Sequence, residues 1–261
     1  MIEGRALVTG AADRLGAAMA LRLADLGFDV AVHYASSGEA AQETVAQIKA
    51  KGRNSVALQA DLLDMTAAAE LVPEAADTLG GPLSVLVNNA SIFEYDTLAT
   101  ATLESWDRHM GSNFQAPFVL TQAFAKQAPK AGADDNGEPI ARAAIINMID
   151  QRVRKLTPEF MTYTLAKMGL WALTQTSAQA LAPAIRVNAI GPGPTMQGAR
   201  QSDDHFAKQR AATVLGRGAN PADITAAMEY LLRSPALTGQ LLCVDGGQHL
   251  AWRTPDVVGV E

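Results

Sequence analysis

The chain has 261 residues, 48% of them hydrophobic and 18% charged, with a formal net charge of −6. That composition supports a sizeable core and excludes bulk disorder, and its acidity argues against a broad nucleic-acid surface while leaving room for a local anion pocket. The single cysteine, Cys243, cannot form an internal disulfide; it sits in the apolar run LLCVDGG, reads as a buried strand residue and fits a reducing compartment.

The first ten residues, MIEGRALVTG, lack a charged segment followed by an apolar stretch, so no signal peptide is expected. No window approaches the roughly 18 apolar residues of a membrane span. A soluble, cytoplasmic protein is the expectation.

Residues 5–9, RALVT, form the first expected strand and run into TGAADRLG (9–16) and a helix over 14–27. A tight glycine turn at a helix N-terminus offers backbone N–H groups and a positive dipole end to a pyrophosphate. Gly10 and Gly16 hold the outer positions of such a fingerprint, and Arg14 replaces the middle glycine. The second strand, DVAVHY (29–34), ends without the acid that commonly holds a ribose 2′-hydroxyl; the next acid is Glu39. His33, Tyr34, Ser36 and Ser37 offer donors there, with Arg14 near, which suits a 2′-phosphate and hence NADP.

A helix over 39–51 leads to a third strand, SVALQA (55–60). Asp61, just beyond it, is placed to meet an adenine amino group. A helix over 64–79, a strand over 83–89 and a helix over 102–127 follow. The polar stretch 130–139 reads as a surface loop before the fifth strand, 143–149. A helix over 161–181, a strand over 186–191, an irregular stretch over 191–204, a helix over 221–233 and a strand over 241–246 complete the chain. The mostly continuous apolar strands are those of a parallel sheet buried on both faces. Alternation of strand and helix gives one α/β doubly wound, Rossmann-like domain over 1–261, with about seven strands and helices on both faces. Ligands bind at the carboxyl ends of such strands, which makes the segment 192–213 a candidate lid.

Residues 147–167 read NMIDQRVRKLTPEFMTYTLAK. Tyr163 and Lys167, four apart, share one face of a helix. A phenol ionises near a pKa of about 10, and a nearby ammonium and a cationic nicotinamide both favour the phenolate; bringing it near neutrality takes about 4 kcal/mol of preferential stabilisation. Asp150 stands thirteen residues before Tyr163. The four histidines, His33, His109, His205 and His249, show no metal-ligand spacing, and no metal site is expected.

With TGAADRLG, ADL (60–62), NNAS (88–91), Asn113 in GSNFQAPF, YTLAK (163–167), RVNAIGPG (186–193) and VDGG (244–247), nearly the whole chain resembles the short-chain dehydrogenase/reductases. The resemblance implies hydride transfer with NAD(H) or NADP(H). Tyr163 would be the proton donor, Lys167 would bind the nicotinamide ribose, and Asn113 would support a water-linked proton relay. Cofactor contacts are implied at Gly10, Arg14, Leu15, Gly16, His33, Tyr34, Ser36, Ser37, Asp61, Leu62, Asn89, Ala90, Ser91, Pro192, Gly193 and Thr195, besides Tyr163 and Lys167. A homotetramer is also implied, and the nearly all-round apolar helix 161–181 fits a subunit contact.

The departures are specific. The family usually has serine where Asp150 stands, and glycine where Arg14 and Ser91 stand. Pteridine reductases, including dihydromonapterin-type reductases, carry the combination seen here: Arg in the turn, HY plus serine after the second strand, NNAS followed by an aromatic, and Asp before the Tyr. They differ in having a basic residue at the position of Ser36. The resemblance implies that Phe93 stacks a flat pterin, with Arg14 and Ser91 at its polar edge and Asp150 and Tyr163 at the reacting bond. An ionised carboxylate would repel the oxyanion of carbonyl reduction, whereas C=N reduction needs a proton at nitrogen. The expected activity is NADPH-dependent reduction of a C=N bond in a small pterin-like molecule. The alternatives are a carbonyl reductase or alcohol dehydrogenase of the same family, and a non-catalytic nucleotide sensor.

Overall fold

The computed structural model describes residues 2–198 and 201–252. β1 (Arg5–Val8), β2 (Asp29–Tyr34), β3 (Ser55–Gln59) and β4 (Val85–Asn88) alternate with α1 (Arg14–Asp25), α2 (Gly38–Ala50) and α3 (Met65–Thr78). α4 (Leu103–Met110) and α5 (Ala116–Gln127) follow. A two-residue hairpin, β5 (Gly132–Ala133) with β6 (Pro139–Ile140), then occupies the expected surface loop. β7 (Ala143–Met148), α6 (Met161–Leu181), β8 (Ile185–Pro192), α7 (Asp203–Ala211), α8 (Pro221–Arg233) and β9 (Leu241–Val244) complete the order.

Seven strands form one parallel sheet in the order β3-β2-β1-β4-β7-β8-β9. Successive side chains leave a strand on opposite faces. Ala6 and Val8 therefore join one core, with Met19 and Leu23 of α1, Val45 and Ile48 of α2, and Ile224 and Met228 of α8. Leu7 joins the other, with Leu71 of α3, Leu120 and Phe124 of α5, and Ala178 of α6. This is the doubly wound arrangement expected from the sequence. The strand order reverses between β1 and β4, and ligands bind such sheets at that switch point, beyond the carboxyl ends of the strands.

Two elements differ from expectation. The helix expected over 102–127 is broken by a π-helical turn, Gly111–Gln115, between α4 and α5. Pro117 lacks the N–H that would bond the Asn113 carbonyl in a regular α-turn, so the chain widens there. α7 also adds a helix that starts at the end of the irregular stretch expected over 191–204 and lies within the candidate lid; none of its side chains is buried.

The sheet's second core makes a direct prediction. Phe124 is fully buried. Phe124→Ala should cost about 3–5 kcal/mol in urea unfolding; a loss below about 1 kcal/mol would mean that the α5 interface closes over the gap.

Candidate active site

The turn after β1 is shaped for close backbone approach. Gly10 has φ +59° and Arg14 has φ +52°. That left-handed backbone costs a glycine little and a larger residue of order 1–3 kcal/mol, which explains why a glycine is usual at the position of Arg14. A Cβ on Gly16 would lie 2.0 Å from the Gly10 carbonyl oxygen, so the turn closes only with glycine there. No side chain caps the N-terminus of α1, leaving its dipole end open to an anion. The exposed Arg14 guanidinium donates to the Met196 carbonyl at 3.4 Å. The half-buried Leu15 lies beside the turn and packs on the sheet core.

His33 requires a correction. It is not a donor held out at the strand end. Its ring is buried, Nδ1 accepts from the Gly10 N–H at 3.0 Å, and Nε2 lies 3.1 Å from the Ala60 carbonyl oxygen. Both nitrogens are spent in bracing the turn, and burial lowers the pKa of this neutral ring. Ser36 and Ser37 are exposed beyond β2, and the Tyr34 ring lies against Gly38. Asp61 is exposed past β3 and accepts from the Leu63 N–H, while Leu62 is buried.

The loop after β4 is tied to the glycine turn. Asn89 Nδ2 donates to the carbonyls of Thr9 and Gly10, and the Thr9 hydroxyl accepts from the N–H groups of Asn89 and Ala90. Asn113, fully buried, holds Ile92, two residues on: its amide both accepts from and donates to the Ile92 backbone at 2.8 Å. Its side chain thus pins the loop bearing Ser91 and Phe93. After β8, Gly193 donates to the Val244 carbonyl, Thr195 donates to the Gly193 carbonyl, and Pro192 ends the strand. In the expected lid, Ala199 and Arg200 lie outside the described residues.

The turn just beyond β7 and the first turns of α6 bring Asp150, Tyr163 and Lys167 together. The Tyr163 hydroxyl donates to Asp150 Oδ2 at 3.0 Å, and Asp150 Oδ1 accepts from the Arg152 backbone N–H at 2.8 Å. Among the described residues no ion pair joins Asp150 to the guanidinium of Arg152 or Arg154: the first lies over the Phe160 ring and the second over Trp171. Burial raises the Asp150 carboxyl above the ordinary carboxylate range, against the pull of Arg152 and Lys167. Lys167 is buried, and its ammonium donates to the Met148 carbonyl at 2.8 Å.

Lys167 by itself does not bring the phenol toward neutrality. Burial pushes the Tyr163 phenol well above its usual value, and the charge of Asp150 and its hydrogen bond push the same way; Arg152 and Ser91 oppose them more weakly. Tyr163 is therefore a protonated donor that faces an acceptor carboxylate. Phe93 meets the Tyr163 ring edge-on with centroids 4.7 Å apart, and stacks on Phe160 at 4.4 Å and 7°.

Three contributors are absent from the sequence expectations. Asn88 donates to Asn147 at 2.8 Å and Asn147 to Thr174 at 2.9 Å, tying β4 to β7 and β7 to α6. Phe160 opens α6 with a left-handed φ of +55°. His109 is fully buried with its ring centroid 6.0 Å from that of Tyr163. The 88–91 motif points to the asparagine ladder and Pro117 to the π-turn; a left-handed phenylalanine leaves no local sequence signal.

Burial lowers the Lys167 ammonium to about 8, with Asp150 opposing the shift. The lysine of the unfolded chain titrates near 10.5, so the folded state binds fewer protons between these values and gains stability as pH rises through that window. The charge of Lys167 is lost over the same rise. The kcat/KM profile should therefore descend through about pH 8; a flat profile to pH 10 would mean that the charge of Lys167 is not required.

A family model described as "Enoyl-(Acyl carrier protein) reductase" matches residues 10–249. The 3-oxoacyl-[acyl-carrier-protein] reductase FabG of Staphylococcus aureus (strain Mu50 / ATCC 700699) is 32% identical over 250 residues, covering 94% of this chain and 98% of that protein. The structure of FolM alternative dihydrofolate reductase 1 from Brucella suis in complex with NADP is 40% identical, with a TM-score of 0.89 and coverage of 97% of this chain and 98% of that one. A short-chain dehydrogenase from Burkholderia cenocepacia J2315, also in complex with NADP, is 33% identical, with a TM-score of 0.84 and coverage of 94% and 97%. Taken with the glycine turn, the Tyr163–Lys167 helix and the seven-stranded parallel sheet, these likenesses establish that the chain belongs to the short-chain dehydrogenase/reductase family.

Proposed function

We propose that this oxidoreductase uses NADPH to reduce a C=N bond of a flat, pterin-like molecule, with Asp150 and Tyr163 delivering the proton. The observation that carries the reading is the hydrogen bond from the Tyr163 hydroxyl to the Asp150 carboxyl, whose pKa burial has raised. The likeness to the FolM alternative dihydrofolate reductase structure, solved with NADP, supports both substrate class and cofactor.

The uncapped N-terminus of α1 and the tight turn at Gly10 and Gly16 fit a dinucleotide pyrophosphate. Arg14, Ser36 and Ser37 are the residues for a 2′-phosphate, and Lys167 for the nicotinamide ribose. When bound, NADPH supplies the hydride that forms the new C–H bond. The nitrogen of the reduced bond takes the Tyr163 proton and leaves a phenolate; Asp150, whose raised pKa favours uptake of a proton from solvent, then returns one to the phenolate with the direction of their hydrogen bond reversed. Phe93 stacks the heterocycle, Ser91 meets its polar edge, and the segment 192–213 covers it.

A carbonyl reductase is the second reading, favoured by the likeness to the Staphylococcus aureus 3-oxoacyl-[acyl-carrier-protein] reductase. The two readings part at Asp150. NADPH oxidation is measured with dihydropterins and with simple carbonyl compounds. Asp150→Ser should lower dihydropterin reduction by about 100-fold or more while sparing carbonyl reduction, and Asp150→Asn should also lose the pterin activity. Both variants reducing dihydropterins as the parent does would leave the carbonyl reading. NADH serving as well as NADPH in the same assay would remove the 2′-phosphate role from Arg14, Ser36 and Ser37.

The outer face of α6 exposes Leu165 and Met168, and α5 beside it exposes Phe118. This apolar surface suits a second copy of the chain, within the homotetramer implied by the family. Light scattering at micromolar concentration should give a mass of more than one subunit; a clean monomer would rule out α6 as a subunit contact.

A further inference from the structure

We infer that His109 is a positioning residue that sets the distance between Phe93 and Tyr163, and that it does so only as a neutral imidazole. His109 lies in the last turn of α4, fully buried, beside the reacting centre. Its Nε2 accepts the backbone N–H of Glu94, the residue after Phe93, at 3.1 Å. Its Nδ1 lies 2.7 Å from the hydroxyl of Thr162, the residue before Tyr163. One imidazole therefore bridges the neighbours of both site aromatics, and its own ring packs edge-on against the phenol ring.

The tautomer follows from the partners. A backbone N–H can only donate, so Nε2 carries the lone pair and Nδ1 carries the proton. Thr162 passes the chain on: its hydroxyl donates to the Asp96 carboxylate, leaving its lone pairs for the imidazole N–H. Asp96 in turn accepts from the Thr162 N–H and from Ser105, and its carbonyl accepts from the Phe160 N–H at the start of α6. The loop after β4, α4 and the N-terminus of the catalytic helix thus meet in one directional network. Each bond in it has a single allowed direction while His109 is neutral.

Protonation would reverse one of those directions. An Nε2–H would face the Glu94 N–H, donor against donor, and the loop carrying Phe93 would have to move. The charged groups around the ring are Glu94 and Asp96 on the loop and Arg108 on α4, with the Tyr163 phenol on α6. The two carboxylates favour the imidazolium; burial, which is larger, and Arg108 oppose it, so the His109 pKa is held below its ordinary 6.5. The centre is therefore assembled at neutral pH and loses its register in acid. This acid dependence is opposite in sign to that of Asp150, whose protonation supplies the reaction.

The inference needs Tyr163 as the family's proton donor but not the pterin substrate, and its test separates the two. Nitrogen-15 NMR of the full chain should show one histidine in the Nδ1–H tautomer that resists protonation below pH 6.5 and is missing in His109→Gln. Proton NMR should show ring-to-ring contacts between Phe93 and Tyr163 that disappear in His109→Leu. Kinetics are read with 7,8-dihydrobiopterin and with ethyl acetoacetate. For whichever is reduced, His109→Leu should lose about 10- to 100-fold in kcat/KM, with NADPH binding unchanged by fluorescence. His109→Gln, which can place an amide oxygen where Nε2 stands, should recover most of that loss and lack the wild-type fall in acid. Reduction of ethyl acetoacetate alone would remove the pterin reading and leave these comparisons intact. If neither substrate turns over, the tautomer and the ring contacts decide. Another tautomer, wild-type ring contacts in His109→Leu, or an acid fall that persists in His109→Gln would each overturn the inference.

Discussion

A phenol and a carboxyl group share one hydrogen bond beyond the carboxyl ends of a parallel sheet, and the fold desolvates both. Burial raises both groups. The Lys167 ammonium donates to the Met148 carbonyl and lies 5.6 Å from the centroid of the Tyr163 ring, but burial and Asp150 dominate the phenol. That bond nevertheless fixes the tip of β7 against the helix that bears Tyr163, so the lysine contributes geometry as well as charge. In a low-dielectric crevice such charge-assisted contacts are strong when satisfied and costly when broken.

The rest of the fold is arranged to keep that pair in register. Tyr163 belongs to α6, Asp150 to the turn just beyond β7, and Phe93 to the loop after β4. Chain connectivity alone does not bring them together; the adjacency of β4 and β7 in the sheet does. The register is then locked by polar side chains inside an otherwise apolar core. Asn88, Asn147 and Thr174 carry one ladder across β4, β7 and α6, while Asp96, Thr162 and His109 carry another across the entrance of α6. Buried polar groups without partners would cost more than they return, so these ladders restrict the chain to one relative placement of strand, loop and helix.

Strand pattern, glycine turn and the Tyr163–Lys167 spacing were legible in the sequence because each is a local signal with a fixed period or position. Residues 5–9, 29–34 and 55–60 were expected as strands, and β1, β2 and β3 lie within them. The misreadings concern direction and environment, which no local pattern encodes. His33 stands at a strand end in either account, but only the fold shows its ring turned inward beneath Gly10. The phenol was expected to follow its nearest cation in sequence. In the fold it answers first to desolvation and then to Asp150. His109 has no motif at all, since its partners are a backbone N–H fifteen residues earlier and a hydroxyl 53 residues later.

Phe160 shows how far such constraints reach into the choice of substrate. An aromatic residue in left-handed backbone persists only where its surroundings over-determine it. Here the Asp96 carbonyl holds its N–H, Phe93 stacks on its ring, Tyr95 meets it edge-on, and Arg152 lies over it. The stack orients the Phe93 ring, and its edge-on contact with Tyr163 would set the angle at which a flat molecule on Phe93, as proposed, meets the phenol. A planar heterocycle can satisfy that angle over its whole surface. A flexible chain ending in a carbonyl has no flat face to register against it. On the proposed reading, the left-handed residue thus favours a planar substrate through the platform it sets.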